Sequence, residues 1–198
     1  MITTPTEKKT LLLLFKDFYS RHTVTSVAKG LAVSRVGAWK ALGKLEKKGD
    51  VALDKIGSGK TSAAAARINW GNQLVEKALA LYLAEEAAKQ KRWSFNFSGL
   101  EGIAKFSILF GSVLHSAAQA RDIDIINVAS RGRLAKARAA LEKAQSSQEK
   151  KIHSLNFTEA EFKEELERPN PALVDAVRKG VALFGQENFV RFIKGVRI

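Results

Sequence analysis

The chain has 198 residues, 45% hydrophobic and 27% charged, enough for one medium domain or two small ones. Lys and Arg number 33 against 20 Asp and Glu, and the resulting net charge of +13 points to a polyanionic partner, nucleic acid before an anionic membrane surface. The lack of cysteine excludes a disulfide scaffold, a thiolate zinc site and a cysteine nucleophile; the scattered His22, His115 and His153 make no His-rich cluster; and apolar runs such as residues 11–15 are too short for a membrane span or a secretory signal, so a cytoplasmic protein with no membrane partner is expected.

The charge is uneven. Residues 1–72 hold 13 Lys and Arg against 5 Asp and Glu, a net of +8, while residues 73–198 hold 20 against 15, a net of +5. Leu11, Leu14, Phe15 and Phe18 recur at i, i+3, i+4 and i+7, which predicts an amphipathic helix of about 12 residues. Thr23 or Thr25 caps a short second helix that turns Val27, Ala28 and Leu31 inward. Ala32 and Val33 form a tight turn, and Ser34 caps a third helix with Val36, Leu42 and Leu45 on its core side, ending at Gly49. Strands are expected at Val51–Ile56 and at residues 66–70, joined by the polar turn Gly57-Ser58-Gly59-Lys60. Gly59-Lys60-Thr61 looks like half of a phosphate-binding Walker A loop, but the position of its first glycine holds Asp54, and a wing turn is expected instead.

The run Val24-Thr25-Ser26-Val27-Ala28-Lys29-Gly30-Leu31-Ala32-Val33-Ser34-Arg35, followed by Leu42, Leu45 and Lys48-Gly49-Asp50-Val51, resembles the winged helix-turn-helix family, especially its MarR-like and related archaeal or bacterial regulators. The resemblance covers about the first third of the chain. It implies that the helix beginning at Ser34 enters the major groove of double-stranded DNA. The residues expected to meet DNA are Ser34, Arg35, Trp39, Lys40 and Lys44 on that helix, and Lys55, Lys60 and Arg67 on the hairpin. Arginine contacts guanine bidentately, while lysine and serine reach phosphate. An aromatic at the spacing of Trp39 is more often part of the core than a base contact.

An alanine-rich helix follows, expected to connect a first domain (residues 1–71) to a third segment (95–198) across residues 72–94. Its apolar stripe Leu74, Ala78 and Leu81 pairs across a twofold axis, giving a homodimer, or packs on the chain's own domains. Beyond it, strands are expected at Phe106–Phe110, Asp122–Val128 and residues 152–157. A helix is expected at residues 133–148, with Leu134, Ala137, Leu141 and Ala144 on one stripe. Thr158 and Glu161 form a capping box for an acidic helix, and Pro171 opens the last helix.

Residues 104–112 end a strand in Gly111-Ser112, and after nine residues comes Asp122-Ile123-Asp124 on the next strand. This arrangement resembles the DNA polymerase β-like nucleotidyltransferase superfamily in its minimal form. The tail around Phe157, Phe162, Asn170-Pro171, Phe184-Gly185 and Phe189 is similar to that of small prokaryotic members, so the resemblance covers residues 95–193. Residues two apart on a strand share a face, so Asp122 and Asp124 can hold Mg²⁺ together. Gly111 lets backbone approach a phosphate, and Ser112 supplies a hydroxyl and an N–H.

Active members usually carry a third carboxylate on the following strand. Here that strand reads Lys151-Ile152-His153-Ser154-Leu155-Asn156-Phe157, with His153 at the expected position. A neutral histidine can act as a base but is a poor Mg²⁺ ligand beside carboxylates. Arg131, Arg133, Lys136 and Arg138 contact phosphates or form a solvated face.

The expectation is an α+β protein: a winged helix, a connecting helix and a small mixed-sheet nucleotidyltransferase-like domain. Its expected function is that of a DNA-binding, transcription-regulating protein whose second domain binds Mg²⁺ and a nucleoside triphosphate. The alternative is an active Mg²⁺-dependent nucleotidyltransferase that passes a nucleoside monophosphate to a protein, RNA or small molecule, with Asp122, Asp124 and His153 as catalytic residues.

Overall fold

Thr4 and Pro5 start the first helix, α1 (Pro5–Lys16). The Thr4 hydroxyl accepts the Glu7 amide at 3.3 Å, and proline at the first helical position sacrifices no helical N–H. This computed structural model describes residues 3–57, 63–168 and 170–196. The chain is α+β and divides into two units, residues 1–82 and 83–198.

In the first unit, α1 buries Leu11, Leu14 and Phe15 as its periodicity requires, and Phe18 lies beyond its end. A two-residue strand, β1 (His22–Thr23), leads into α2 (Val24–Leu31). Thr23 caps α2 in a reciprocal box with Ser26. Ala32 then turns the chain in the left-handed region, φ 53°, a conformation that costs a non-glycine residue about 1 kcal/mol. Ser34 caps α3 (Arg35–Lys47) by accepting the Gly37 amide at 3.0 Å.

The buried stripe of α3 is Ala38, Ala41, Leu42 and Leu45. Val36, expected in the core, is 61% exposed because it falls outside that i, i+3, i+4, i+7 set. Gly49, φ 73°, ends the helix in the conformation glycine tolerates best. β2 (Val51–Ile56) then runs antiparallel to β3 (Ala63–Ile68). The second strand was expected at residues 66–70; the register Val51↔Ile68 places it earlier. β1 pairs with the other edge of β3, giving the order β1-β3-β2. Of the expected turn, Ser58, Gly59 and Lys60 lie outside the described residues, as does Thr61.

The expected helix over residues 72–94 is two helices, α4 (Gln73–Ala88) and α5 (Lys91–Asn96). Val75, Leu79, Tyr82 and Leu83 are buried, whereas Leu74 and Leu81 are 74% and 58% exposed. The stripe expected to pack on the chain or across a twofold axis is therefore the outer one.

The second unit is built on a four-stranded sheet in the order β6-β5-β4-β7. Its strands are β4 (Phe106–Phe110), β5 (Asp122–Val128), β6 (Lys151–Phe157) and β7 (Val181–Phe184). β5 and β6 are parallel, joined through α6 (Leu134–Gln145), and the other neighbours are antiparallel. The last helices are α7 (Glu159–Glu167), α8 (Pro171–Lys179) and α9 (Gln186–Lys194). The Thr158–Glu161 capping box and Pro171 at the start of α8 occur as the sequence predicts.

One face of the sheet packs Leu109, Ile123 and Ile125 against Trp93, Phe97, Ala137 and Leu141. On the other face Phe106 meets Phe162, Phe189 and Phe192, with ring centroids 6.1, 5.2 and 5.2 Å away. Strand alternation puts Asp122 and Asp124 on this second face, at the opposite end of β5 from the aromatic cluster.

Candidate functional site

β4 delivers the chain to Gly111, whose φ of 83° is one that L side chains rarely adopt. Backbone and neighbour both demand glycine here. A Cβ would stand 3.4 Å from the Asp124 Cγ and 3.6 Å from its Cβ, and would collide with Oδ2. Bare backbone thus lies directly against a carboxylate. Ser112, exposed, opens a single 3₁₀ turn (Ser112–Leu114), too short to build the aligned dipole of a true helix N-terminus.

β5 and β6 are parallel with Asp124 opposite His153. Their shared alternation brings the imidazole onto the face of both carboxylates. His153 Nδ1 lies 3.4 Å from Asp122 Oδ2 and 3.7 Å from Asp124 Oδ1. One donor atom from each of the three residues lies within 4.8 Å of the other two. The side chains are 36%, 26% and 48% exposed for Asp122, Asp124 and His153, so the group is open to solvent on one side. Burial pushes the Asp124 carboxyl above its ordinary value; the charge of Asp122 adds to this, and His153 opposes it. Two oxygens and a nitrogen converging at the open end of a strand pair can hold a metal ion.

Gly111, Ser112, Asp122, Asp124 and His153, expected to act together, come from the adjacent strands β4, β5 and β6 and their first turn. Arg131 and Arg133 do not join them. They follow the far end of the seven-residue β5, about 20 Å along the strand, and Arg133 donates to the Gly102 carbonyl at 2.7 Å. Lys136 and Arg138 sit on α6, which packs on the other face of the sheet. The cation nearest in register is one sequence reasoning missed: Lys151, exposed and opposite Asp122. The period of two shared with His153 was the signal that marks it.

In the first unit, Arg35, Trp39 and Lys40 all lie on the solvent side of α3, and Trp39 is 65% exposed rather than part of the core. Lys47, overlooked in the sequence, extends this face by two turns from Lys40. Gly43 lies between them, and a Cβ there would meet nothing within 4 Å, so the fold does not require its bareness. The remaining expected contacts are partly committed elsewhere. Ser34 Oγ accepts its capping bond, Lys44 stands 3.8 Å from Glu7, and Arg67 is ion-paired with Asp54 across the hairpin. Lys55 is exposed on β2. Among the described residues no helix is long and apolar enough to cross a membrane. Comparison with protein-family models, curated proteins and solved structures returned no match.

Proposed function

We propose that the protein is a transcription-regulating DNA-binding protein whose second unit binds Mg²⁺ with a nucleoside triphosphate and transfers nucleotide slowly or not at all. The observation that carries this reading is the meeting of Gly111, Asp122, Asp124 and His153 at one end of the sheet. The bare backbone of Gly111 lets the Asp124 carboxylate pack directly against the turn that ends β4. Asp122 and Asp124 would hold the ion, the exposed Ser112 follows Gly111 in the adjoining turn, and Lys151 adds positive charge opposite Asp122. A bound divalent cation would offset the charge of the triphosphate. β6 carries no carboxylate, so on that strand His153 would be the group to accept the proton of an attacking hydroxyl.

The first unit is read as a winged helix-turn-helix. Its support is the Ser34-capped α3 that follows a tight turn from α2 and turns Arg35, Trp39, Lys40 and Lys47 outward, next to an antiparallel hairpin carrying Lys55. α3 enters the major groove and the hairpin lies along the DNA backbone. Exposed Leu74 and Leu81 suit a homodimer engaging two half-sites. The second reading is an active nucleotidyltransferase acting on a protein, RNA or small molecule. It is favoured by the 3.4 Å approach of His153 Nδ1 to Asp122, which would hold the imidazole as a base.

Calorimetric titration of the full chain with a non-hydrolysable triphosphate, with and without Mg²⁺, tests the second unit. Binding that needs Mg²⁺ and vanishes in Asp124→Asn is expected, with incorporation of labelled nucleotide near background. Incorporation well above background that is lost in Asp124→Asn would establish the second reading, and no metal-dependent binding at all would overturn both. For the first unit, retardation of duplex DNA at low salt is expected, and its absence would remove the regulator.

A further inference from the structure

We infer that the ion held by Asp122 and Asp124 is a first-row transition ion in preference to Mg²⁺, because His153 Nδ1 is its third protein ligand. The inference rests on the metal–nucleotide reading above. It differs from that reading in the ion, and in assigning His153 to the ion and not to an acceptor's proton.

Three features of the site carry it. Nδ1 is the ring nitrogen turned toward both carboxylates, at 3.4 and 3.7 Å. Adjacent ligands of an ion with bonds of about 2.1 Å stand roughly 3.0 Å apart in an octahedron and 3.4 Å apart in a tetrahedron, so Nδ1 needs to close on each carboxylate by only a few tenths of an ångström, while the two carboxylate oxygens start within 4.8 Å of each other. The parallel pairing of β5 and β6 fixes Asp124 opposite His153, so the spacing is set by backbone hydrogen bonding and not by a flexible loop. The imidazole is 48% exposed and has room to make that adjustment.

The donor set then selects the ion. Mg²⁺ prefers oxygen and gives up its water reluctantly, whereas imidazole suits the later first-row ions. A nitrogen lone pair given to a metal is not available to a proton, so ligation and general-base service by Nδ1 exclude one another.

The test is calorimetric titration of the full chain with Co²⁺ and with Mg²⁺, in the parent, His153→Ala and His153→Asp. Pulsed electron paramagnetic resonance of the Mn²⁺-loaded protein serves as a direct readout of nitrogen ligation. Circular dichroism checks that each variant is folded. Tighter binding of Co²⁺ than Mg²⁺ is expected in the parent. His153→Ala should weaken Co²⁺ by about 10–100-fold, the range typical of a lost interaction at a metal site, and His153→Asp should shrink the Co²⁺-to-Mg²⁺ ratio by at least about tenfold. Nitrogen modulation should be present in the parent and absent from both variants. An unchanged ratio with no nitrogen signal in the parent overturns the inference while leaving a metal at the two aspartates. Failure of the parent to bind either ion overturns the metal–nucleotide reading beneath it.

Discussion

Glu7 in the first unit and the Asp122–Asp124 pair in the second are carboxylates treated in opposite ways. Glu7 is 2% exposed at its side chain, yet its charge is met within the fold by Lys48, by Lys44 at 3.8 Å and by the Thr4 hydroxyl at 3.0 Å. Burial alone would push its carboxyl up, but the hydrogen bonds from Lys48 and Thr4 and the charge of Lys48 together hold it below the ordinary glutamate value. Asp124 is more exposed and nevertheless sits above its ordinary value, with a second carboxylate beside it and one half-exposed imidazole facing both. A carboxylate matched by its own chain serves stability. One set against a like charge at the end of a strand has no such match within the chain beyond His153, and it can hold a metal ion.

The contrast predicts opposite outcomes for loss of charge. Glu7→Gln should destabilise the first unit by about 3 kcal/mol, the low end for a broken buried pair, because Lys48 keeps the charge of Asp50 nearby. Urea denaturation reads this directly. Because the folded pKa of Glu7 lies below its unfolded one, its contribution is complete above the unfolded value, about pH 4.3, and is lost as the pH falls through the folded value. Acid titration of stability in the parent and Glu7→Gln should therefore converge below that window. Curves that stay parallel would show that the ion pair does not carry the difference.

The same distinction between matched and unmatched charge separates the arginines of the first unit. Arg35 stands exposed at the start of α3, while Arg67 is neutralised by Asp54. Arg35→Ala should cost about 1–3 kcal/mol of duplex binding at one base pair, and Arg67→Ala much less, as read by gel shift against single-base variants of the site. Gly43→Ala should raise stability by about 0.5–1 kcal/mol, the ordinary gain for alanine over glycine inside a helix. It should also weaken DNA binding, since the added methyl group stands on the outer face of α3. The smallest effect is expected for Asp124→Asn, which removes a like-charge pair. Fold stability should rise, by less than about 1 kcal/mol for groups this exposed, while metal binding disappears. A marked loss of stability there would break the comparison, since it would make the aspartates structural.

Much of the site was legible because it depends on short-range rules. Period-two alternation placed Asp122 and Asp124 on one face, and β4 and β5 occupy their expected residues because both are apolar runs bounded by turns. The position of His153 followed from the resemblance, which puts a third carboxylate at that point of the strand. What escaped depended on partners distant in sequence. β3 begins in an alanine run of weak strand propensity, and only its pairing with β2 draws it out. β1 is two residues long and exists because β3 has a free edge to offer. Val36 and Leu74 look like core residues by composition. Ala38, Ala41 and Ala80 take buried positions instead, where a small side chain lets neighbouring elements approach. Lys47 and Lys151 were visible as charges but acquired meaning only once the exposed faces were known.

β6 is the outermost strand of its sheet, and His153 projects from it half-exposed. Its identity can therefore change without repacking the core. Histidine and aspartate codons differ in their first base alone, so a single transversion would turn this strand into one with three neighbouring acids. The donor set of the second unit thus lies one heritable step from an alternative form, and the step leaves the buried core untouched. A change at this one exposed position alters the donor set that could hold a metal ion while the scaffold stays as it is.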